Sequence, residues 1–155
     1  MINVIGSYDC MLDSKGRLPV PVAFKKQLGE AMEAEFVLKR SVFQPCIELY
    51  TREEWNKVMN QVDGLNKFVK KNEQFIRIFT AGLKIVEADS TGRIQLTKEL
   101  LQFAKIEKSV VVTAVLNKIE IWDKETYEKS ISINEEDFAT LTEEIMGINH
   151  GNELS

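Results

Sequence analysis

The chain has 155 residues, of which 44% are hydrophobic and 28% charged, with 3 prolines and 8 glycines. This composition excludes collagen, a coiled coil and general disorder, and the lack of a long apolar run or a basic, apolar leader predicts a soluble cytoplasmic protein. The formal net charge is -4, but residues 134–155 hold six acidic and no basic residues, so the other 133 residues hold 20 basic and 18 acidic groups. Net acidity therefore does not exclude a polyanionic partner, because local patches decide which partners bind.

An internal repeat organises the chain. The segment DSKGRLPV at residues 13–20 returns 76 residues later as DSTGRIQL at residues 89–96, and IELYTREEW at residues 47–55 returns as IEIWDKETY at residues 119–127. Matching blocks in the same order indicate a duplicated unit of about fifty residues, and two copies are too few to form a solenoid. We therefore expect the copies to pair about a pseudo-two-fold axis, as the protomers of a homodimer do.

Each copy begins with a predicted β-hairpin. The first hairpin is formed by residues 8–12 and 17–20, and the second by residues 86–88 and 93–96. Aspartate at the first turn position and glycine at the fourth are typical of a type I turn that ends in a left-handed glycine.

A short helix follows each hairpin. Pro21 opens the first helix and Thr97 opens the second. The apolar residues at helical spacing predict that one side of each helix is buried. They are Phe24 and Leu28 in the first helix, and Leu100, Leu101 and Ala104 in the second.

Two strands follow each of these helices. Continuous apolar runs predict buried strands at residues 36–38 and 110–112, and alternating runs predict half-buried strands at residues 47–50 and 119–122. Each half-buried strand leads into a helix. Thr51 with Glu54 forms a capping box in the first copy, and Asp123 can cap the helix of the second.

The predicted fold is α+β, a duplicated swapped-hairpin arrangement with short flanking helices. Six apolar residues between the copies fall at helical spacing and predict a packed connecting helix: Leu65, Phe68, Val69, Phe75, Ile76 and Phe79. Near the end of the chain, Asn134 can cap a helix that stops at Gly147. The expected domains are the first repeat (7–54), connecting helices (55–82), the second repeat (83–126) and an acidic C-terminal helix and tail (127–155).

Arg17 and Arg93 are the strongest candidate functional residues. Each follows a tight glycine turn, and two-fold pairing would present both on one face with Lys15 beside the first. A two-stranded ribbon fits the major groove of DNA, where arginine can bond guanine O6 and N7 and lysine can hold phosphate. The alternative is that these arginines have only a structural role. Asp13 lies opposite Arg17 and Asp89 opposite Arg93, and the two ion pairs could merely stabilise the turns. The residues alone leave these two interpretations equal, and they are compatible with each other.

Further cations could contact phosphate. Lys25 and Lys26 are candidates because they closely follow the first hairpin. Solvated helix surface is the better interpretation for most of the others, which are Lys67, Lys70, Lys71 and Arg77. An acidic tail of this kind is usually only solvent-exposed surface, although it could also compete with DNA for the basic surface.

The sequence gives little support for catalysis or metal binding. Cys10, Cys46 and the single histidine, His150, cannot complete a usual four-ligand zinc site, so we expect free buried thiols, no metal and no cofactor. The two Asp-Ser loops are similar to the paired aspartates of acid proteases, but an extra residue separates Ser from Gly here and Arg follows. No nucleophile elbow or phosphate-binding glycine loop is present. We therefore expect a protein that is not an enzyme and has no small-molecule substrate.

Together, these motifs resemble the MraZ family of bacterial transcriptional regulators. The resemblance rests on YDCMLDSKGRLPVP at residues 8–21, DSTGR at residues 89–93, the IELY and EEW motifs within residues 47–55, and NKIEIW at residues 117–122. It covers the chain from about residue 5 to residue 129. The doubled Asp-x-x-x-Arg signature at this separation is far more specific than either copy alone.

The resemblance implies a pair of AbrB-like swapped-hairpin β-barrel units in one chain, which assembles into a ring-shaped homo-oligomer. It also implies a nucleoid-associated regulator, usually a repressor, that binds short tandem repeats upstream of its own operon, the division and cell wall gene cluster. The DNA-contacting arginines of the family correspond to Arg17 and Arg93, with Lys15 as the lysine of the first loop and Asp13 and Asp89 as the paired acids. Ring assembly would raise avidity where repeat spacing matches.

A protein-interaction function is the main alternative. In that interpretation the same fold neutralises a partner protein through its acidic tail helix, as some related antitoxin-like proteins do. The two hypotheses predict different behaviour: a DNA-binding protein loses affinity steeply as salt rises, whereas the interaction module loses its partner when residues 134–155 are removed.

Overall fold

A computed structural model describes residues 4–147 of the chain. The chain groups into two units, residues 1–124 and residues 125–155, of which residues 4–124 and 125–147 are described. His150 lies outside the described residues. Among the helices of residues 4–147, none combines the length and the apolar character that crossing a membrane requires.

The two copies of the repeat contain the same succession of elements. The first copy consists of β1 (Ser7–Met11), β2 (Arg17–Pro19), α1 (Val22–Leu28), a 3₁₀ turn (Gly29–Glu33), β3 (Phe36–Arg40), β4 (Ile47–Thr51) and α2 (Arg52–Asp63). Helix α3 (Lys70–Phe79) connects it to the second copy. That copy consists of β5 (Lys84–Val86), β6 (Arg93–Gln95), α4 (Lys98–Phe103), β7 (Ser109–Val115), β8 (Lys118–Asp123) and α5 (Lys124–Ser130). Helix α6 (Glu135–Thr142) and a π-helical turn (Glu143–Gly147) follow.

The strands of the two copies interleave. The large sheet has the order β1-β7-β8-β4-β3-β5 with antiparallel pairing throughout, so the first strand of each copy pairs with the third strand of the other. A separate ribbon joins β2 to β6, with Leu18 opposite Ile94. At the centre of the large sheet, Glu48 lies opposite Glu120. Corresponding residues of the two copies therefore face each other, which confirms the predicted pseudo-two-fold pairing.

The duplicated, swapped α+β fold is confirmed, but the large sheet is not closed into a barrel. The prediction of a paired hairpin in each copy was also wrong, because β1 pairs with β7, β5 pairs with β3, and β2 pairs with β6. The backbone N–H of Asp13 donates to the Arg17 carbonyl over 3.0 Å, and beyond this turn the chain leaves the sheet. Within residues 4–147, β1 and β5 each have a partner strand on one side only, so they are edge strands and the sheet is open.

One continuous core joins the two copies. It contains the predicted apolar positions Phe24, Leu28, Leu100 and Ala104, together with residues from the large sheet and from the ribbon. The central pair of the ribbon, Leu18 and Ile94, is fully buried in it. Burying a side chain of this size contributes roughly 1.5–3 kcal/mol, so the ribbon, which has only three residue pairs, is held mainly by the core beneath it.

The connection between the copies is not the single packed helix that apolar spacing predicted. Helix α2 ends at Asp63 with Gly64 as its C-cap, and in the following turn the Asn66 side-chain oxygen accepts a hydrogen bond from the Phe68 backbone N–H over 3.0 Å. Such a side-chain bond favours a turn over continued helix. Phe68 is 99% exposed, whereas Phe79 in α3 stacks on Trp55 of α2 with ring centroids 6.0 Å apart. The apolar residues on the two sides of the break therefore do not share one face.

The predicted helix caps at Thr51 and Asn134 are confirmed. The Thr51 hydroxyl accepts a hydrogen bond from the Glu54 N–H over 3.2 Å, and the Asn134 side chain accepts one from the Asp137 N–H over 2.7 Å. Thr97 caps α4 in the same way. These caps depend only on neighbouring residues, which is why the sequence reveals them.

Candidate nucleic-acid interface

Two equivalent turns carry the candidate arginines. We call residues 13–17 the first turn and residues 89–93 the second turn. Gly16 and Gly92 have φ of 76° and 78°, a left-handed conformation that favours glycine, and their N–H groups donate to the carbonyls of Asp13 and Asp89 over 3.0 and 2.9 Å. The predicted left-handed glycine turn is confirmed in both copies.

Ion pairs hold both arginines and also connect the two turns. Arg17 Nε lies 2.7 Å from Asp13 Oδ2, and Arg93 Nε lies 3.0 Å from Asp89 Oδ2. Arg93 Nη1 additionally lies 3.3 Å from Asp13 Oδ2. The ion pairs that the structural interpretation expects are therefore present. In addition, the Asp13 carboxylate contacts the guanidinium groups of both Arg17 and Arg93.

The ion pairs leave part of each arginine open to solvent. The side chains of Arg17 and Arg93 are 27% and 32% exposed. A guanidinium has five N–H donors, and among residues 4–147 no hydrogen bond engages Nη1 or Nη2 of Arg17. The two interpretations of the sequence are therefore compatible, since a carboxylate can orient a guanidinium whose outer edge remains available.

The two carboxylates of the turns stay ionised at neutral pH. The backbone N–H of Arg17, followed by the Arg17 side chain and the N–H of Lys15, lowers the pKa of Asp13 below its usual range. The backbone N–H of Arg93, followed by the hydroxyl and N–H of Thr91 and the charge of Arg93, lowers the pKa of Asp89 in the same way. Hydrogen bonds to the charged form favour that form, so both carboxylates are charged at neutral pH where they pair with the arginines.

Lys15 lies in the first turn, and Lys25 contacts the second. Lys15 and Lys26 are exposed and Lys25 is half-buried, and none of the three has a carboxylate within ion-pair distance among the residues that the structure describes. Lys25 reaches the second turn, where its Nζ donates to the Thr91 carbonyl over 3.3 Å and packs against Gly92. Proximity in sequence placed Lys25 beside the first hairpin, whereas the interleaved fold brings it to the turn of the other copy.

The weaker candidates are all exposed to solvent, and Lys67 lies in the turn between α2 and α3 and not on a helix. Lys67 pairs with Asp63 over 2.7 Å, and Arg77 pairs with Glu73 over 3.2 Å, each with an exposed neighbour. Lys70 is exposed at the start of α3, as is Lys71. The structure therefore gives these residues no role in the turns.

One residue that contacts the first turn was missed by sequence reasoning. Gln95 Nε2 donates to the Lys15 carbonyl over 2.8 Å and to the Leu96 carbonyl over 3.0 Å. The signal lies in the repeat itself, because position 95 corresponds to Pro19 in the first copy, and a substitution of that kind within a duplicated motif indicates a changed contact.

A groove that contains no residue of the two turns is unsuited to binding a polyanion. This groove of about 670 Å³ is lined by apolar residues of α3 and by Lys39, Glu48, Lys118 and Glu120. Lys39 is fully buried and its Nζ lies 3.0 Å from Glu48 Oε1, while Lys118 Nζ lies 2.7 Å from Glu48 Oε2. Two lysines face two glutamates here, so the groove has no excess positive charge.

Thiols and other possible metal ligands form no site in the described part of the chain. Cys46 is buried and Cys10 half-buried, and both are free thiols. Burial, with the nearby charge of Glu120, raises the pKa of Cys46 to about 12, which makes it an unreactive core residue. Within residues 4–147, no group of three or more His, Cys, Asp or Glu residues is placed to hold a metal ion.

Known proteins resemble this chain over nearly its whole length. The model of the MraZ protein family, described as antitoxin-like, matches residues 4–78 and again residues 79–149. The transcriptional regulator MraZ of Christiangramia forsetii is 54% identical over 147 residues, which cover 95% of both chains. The proteins of the same name from Flavobacterium psychrophilum and Bacteroides thetaiotaomicron are 52% and 37% identical over 147 residues, covering 95% and 94% of this chain and 94% of each relative. Two adjacent matches to one family model agree with the duplication seen in the sequence and the fold.

Proposed function

Since this chain belongs to the MraZ family of transcriptional regulators, we propose that it binds DNA in a sequence-specific manner through its first and second turns. The family assignment also confirms the expectation that the chain is not an enzyme. The observation that carries the proposal is the joining of Arg17 and Arg93 through Asp13, with both guanidinium groups still partly exposed.

In the proposed complex, Arg17 and Arg93 read base edges. A guanidinium held at Nε keeps its outer nitrogens in a fixed plane, and this is the geometry that bonds guanine O6 and N7 as a fork. Asp13 and Asp89 hold the two guanidinium groups in that orientation. The β2–β6 ribbon supports both turns from below through its buried central pair.

Three lysines supply the proposed phosphate contacts. Lys15, Lys25 and Lys26 belong to the first copy, and the corresponding residues of the second copy are Thr91, Leu101 and Gln102. Phosphate contacts position a protein on DNA without reading its sequence. All three proposed phosphate contacts therefore come from the first copy, although Lys25 reaches the second turn.

We further propose that the target consists of tandem repeats upstream of the protein's own operon, the division and cell wall gene cluster, and that binding represses it in the nucleoid. The support is electrostatic: outside the acidic tail the net charge is only weakly positive, so a single chain would bind weakly at physiological salt. A ring-shaped homo-oligomer that engages successive repeats would raise avidity steeply.

A band-shift assay on the DNA immediately upstream of the gene tests this function. With several phosphate contacts, affinity should fall by roughly two orders of magnitude between about 50 and about 200 mM salt. Arg17→Ala should abolish the complex, and Arg17→Lys, which retains the charge but loses the fork, should weaken it about tenfold or more. Arg77→Ala, at an exposed arginine paired with Glu73, is the matched control and should bind normally. Failure of the wild-type protein to retain this DNA at low salt would refute the proposal.

The C-terminal unit supports a second candidate function, binding of a protein partner. Helix α6 carries only acidic charged residues, and Phe138 and Leu141 on it are 58% and 42% exposed. Apolar side chains flanked by charges of one sign are typical of a surface that binds a basic partner. A pull-down that loses a partner when residues 134–155 are deleted, while the wild-type protein retains no DNA, would favour this function over the first.

A further inference from the structure

Each turn receives a side-chain donor from the opposite copy of the repeat. Gln95 of the second copy donates to the Lys15 carbonyl of the first turn over 2.8 Å. Lys25 of the first copy donates to the Thr91 carbonyl of the second turn over 3.3 Å. Lys15 and Thr91 are equivalent positions, separated by the 76 residues of the repeat offset, so the two contacts serve the same carbonyl in the two turns.

The donors themselves are not at equivalent positions. Gln95 corresponds to Pro19, whose side chain has no donor, and Lys25 corresponds to Leu101, which has none either. The two copies have therefore diverged in a complementary way. Each copy keeps one donor at a different position, and each turn still receives one hydrogen bond from the other copy.

Packing around the two glycines follows the same crossed pattern. A Cβ at Gly16 would lie 3.3 Å from Leu101 Cδ1 and 3.6 Å from Gln95 Nε2, while a Cβ at Gly92 would collide with the Lys25 side chain. Backbone bonds also cross, since the Leu96 N–H donates to the Gly16 carbonyl over 3.2 Å and the Val20 N–H to the Gly92 carbonyl over 3.1 Å. In each turn, the side-chain donor thus bonds the carbonyl of the residue just before the glycine, and the backbone N–H bonds the carbonyl of the glycine itself.

We propose that Gln95 is a positioning residue for DNA binding. It holds the first turn so that the Lys15 side chain projects beside Arg17. Lys25 makes the corresponding contact in the second turn, where it holds the Thr91 carbonyl. The inference rests on the proposed function. Lys15 is exposed and has a long, flexible side chain, and a fixed backbone lowers the entropy that its ordering on a phosphate costs. Gln95 acts through the Lys15 carbonyl and needs no contact of its own with DNA.

A double-mutant cycle tests this role. Gln95→Met keeps the length of the side chain but removes both donors, and we expect a three- to tenfold loss of affinity for the upstream DNA, about the effect of one hydrogen bond. In a Lys15→Met background the same change should have almost no further effect, because the lysine that it positions is absent. In a Lys26→Met background it should cost the full three- to tenfold, because Lys26 lies on α1 and not in the first turn.

A variant in which a different residue donates to the Lys15 carbonyl provides a second test. Leu101→Lys places a lysine in the second copy where Lys25 stands in the first, so it should restore the Lys15 contact when combined with Gln95→Met. The gain in affinity from Leu101→Lys should be larger in the Gln95→Met protein than in the wild-type protein, because in wild type it adds only charge. Gln102→Met, at an exposed glutamine on α4, is the matched control and should change affinity less than twofold.

The outcomes separate this inference from the proposed function. If wild-type protein binds the DNA but Gln95→Met weakens binding equally in the Lys15→Met and Lys26→Met backgrounds, the positioning role is wrong and the DNA-binding function stands. If wild-type protein does not bind, the proposed function itself has failed. Circular dichroism monitors folding, and Gln95→Leu, which also lacks the donors and adds no charge, replaces Gln95→Met in the cycle should that variant unfold.

Discussion

The Asp13 carboxylate shows at the scale of single residues how a structural ion pair can also prepare a binding group. Its Oδ1 accepts hydrogen bonds from the backbone N–H groups of Lys15 and Arg17, and its Oδ2 accepts from Arg17 Nε and Arg93 Nη1. Asp89 makes the equivalent contacts with Thr91 and Arg93 but makes no bond to Arg17 among the described residues. Removal of Asp13 should therefore disturb both turns, whereas removal of Asp89 should disturb only the second.

The depressed pKa values of these two carboxyls predict a defined pH dependence. A group whose pKa is lower in the folded state stabilises the fold above its unfolded pKa, and this contribution is lost as the pH falls through the folded pKa. The destabilisation caused by Asp13→Asn should therefore be constant from neutral pH down to about pH 5 and shrink once the pH falls below the ordinary value of 3.8. Urea denaturation of wild-type and variant proteins across this range would measure it.

A direct check is the carboxyl ¹³C titration of the wild-type protein. Both Asp13 and Asp89 should titrate below the ordinary value of 3.8. Titration of either group at or above that value would contradict the hydrogen-bonding scheme of the turns.

At the scale of elements, the large sheet contains a buried charge network where β3, β4 and β8 lie side by side. Lys39 Nζ donates to Glu48 Oε1 and to the Arg40 carbonyl, and it lies 4.5 Å from the centroid of the Phe79 ring. Burial by itself raises the pKa of Glu48, but the hydrogen bond and charge of Lys118 and then of Lys39 outweigh it, so that pKa lies below its ordinary value. The network joins strands of both copies and connects them to α3 through Phe79.

Removal of one member of this network should be costly. Lys39→Met leaves Glu48 buried with only Lys118 as its cationic partner in the described chain, and we expect a loss of about 3 kcal/mol in the free energy of unfolding, at the low end of the cost of breaking a buried pair. Lys67→Met removes an exposed lysine from its pair with the exposed Asp63 and should cost less than about 1 kcal/mol. Urea unfolding of both variants measures the difference, and equal losses would show that the buried network has no special role.

At the scale of the whole molecule, the two copies of the repeat complete each other. Strand β1 pairs with β7, β5 with β3, β2 with β6 and β4 with β8, so four of the six strand pairings in residues 4–147 join different copies. The other two, β3 with β4 and β7 with β8, lie within a copy. The two turns are likewise held from the opposite copy, which makes the candidate DNA-binding surface a property of both copies together.

This interleaving predicts that one copy cannot form a folded monomer. A fragment of residues 4–78 keeps only the pairing of β3 with β4. It lacks the strands that pair with β1 and β2 and those that flank β3 and β4 on their other sides. The fragment should therefore either remain unfolded or pair with a second identical copy. Size-exclusion chromatography with light scattering and thermal unfolding would distinguish these states. A cooperatively unfolding monomer of this fragment would contradict the interleaved topology.

The sequence by itself determined the features that depend on neighbouring residues. The DSKG and DSTG motifs predict left-handed glycine turns, Thr51 and Asn134 predict helix caps, and the repeat predicts the pseudo-two-fold arrangement, because each depends on local dihedral preferences, local hydrogen bonds or recurrence. Strand alternation likewise indicates which face is buried, although it does not identify the neighbouring strand.

The tertiary structure alone decided which distant groups meet. It pairs β2 with β6, places Phe68 in solvent, brings Lys25 to the turn of the other copy and sets Gln95 against Lys15. These contacts join residues up to 80 positions apart, and they follow from burial of one core shared by both copies. Strand partners are chosen by that global burial and not by local preference, so the joining of the two arginines at Asp13 could be determined only from the folded chain.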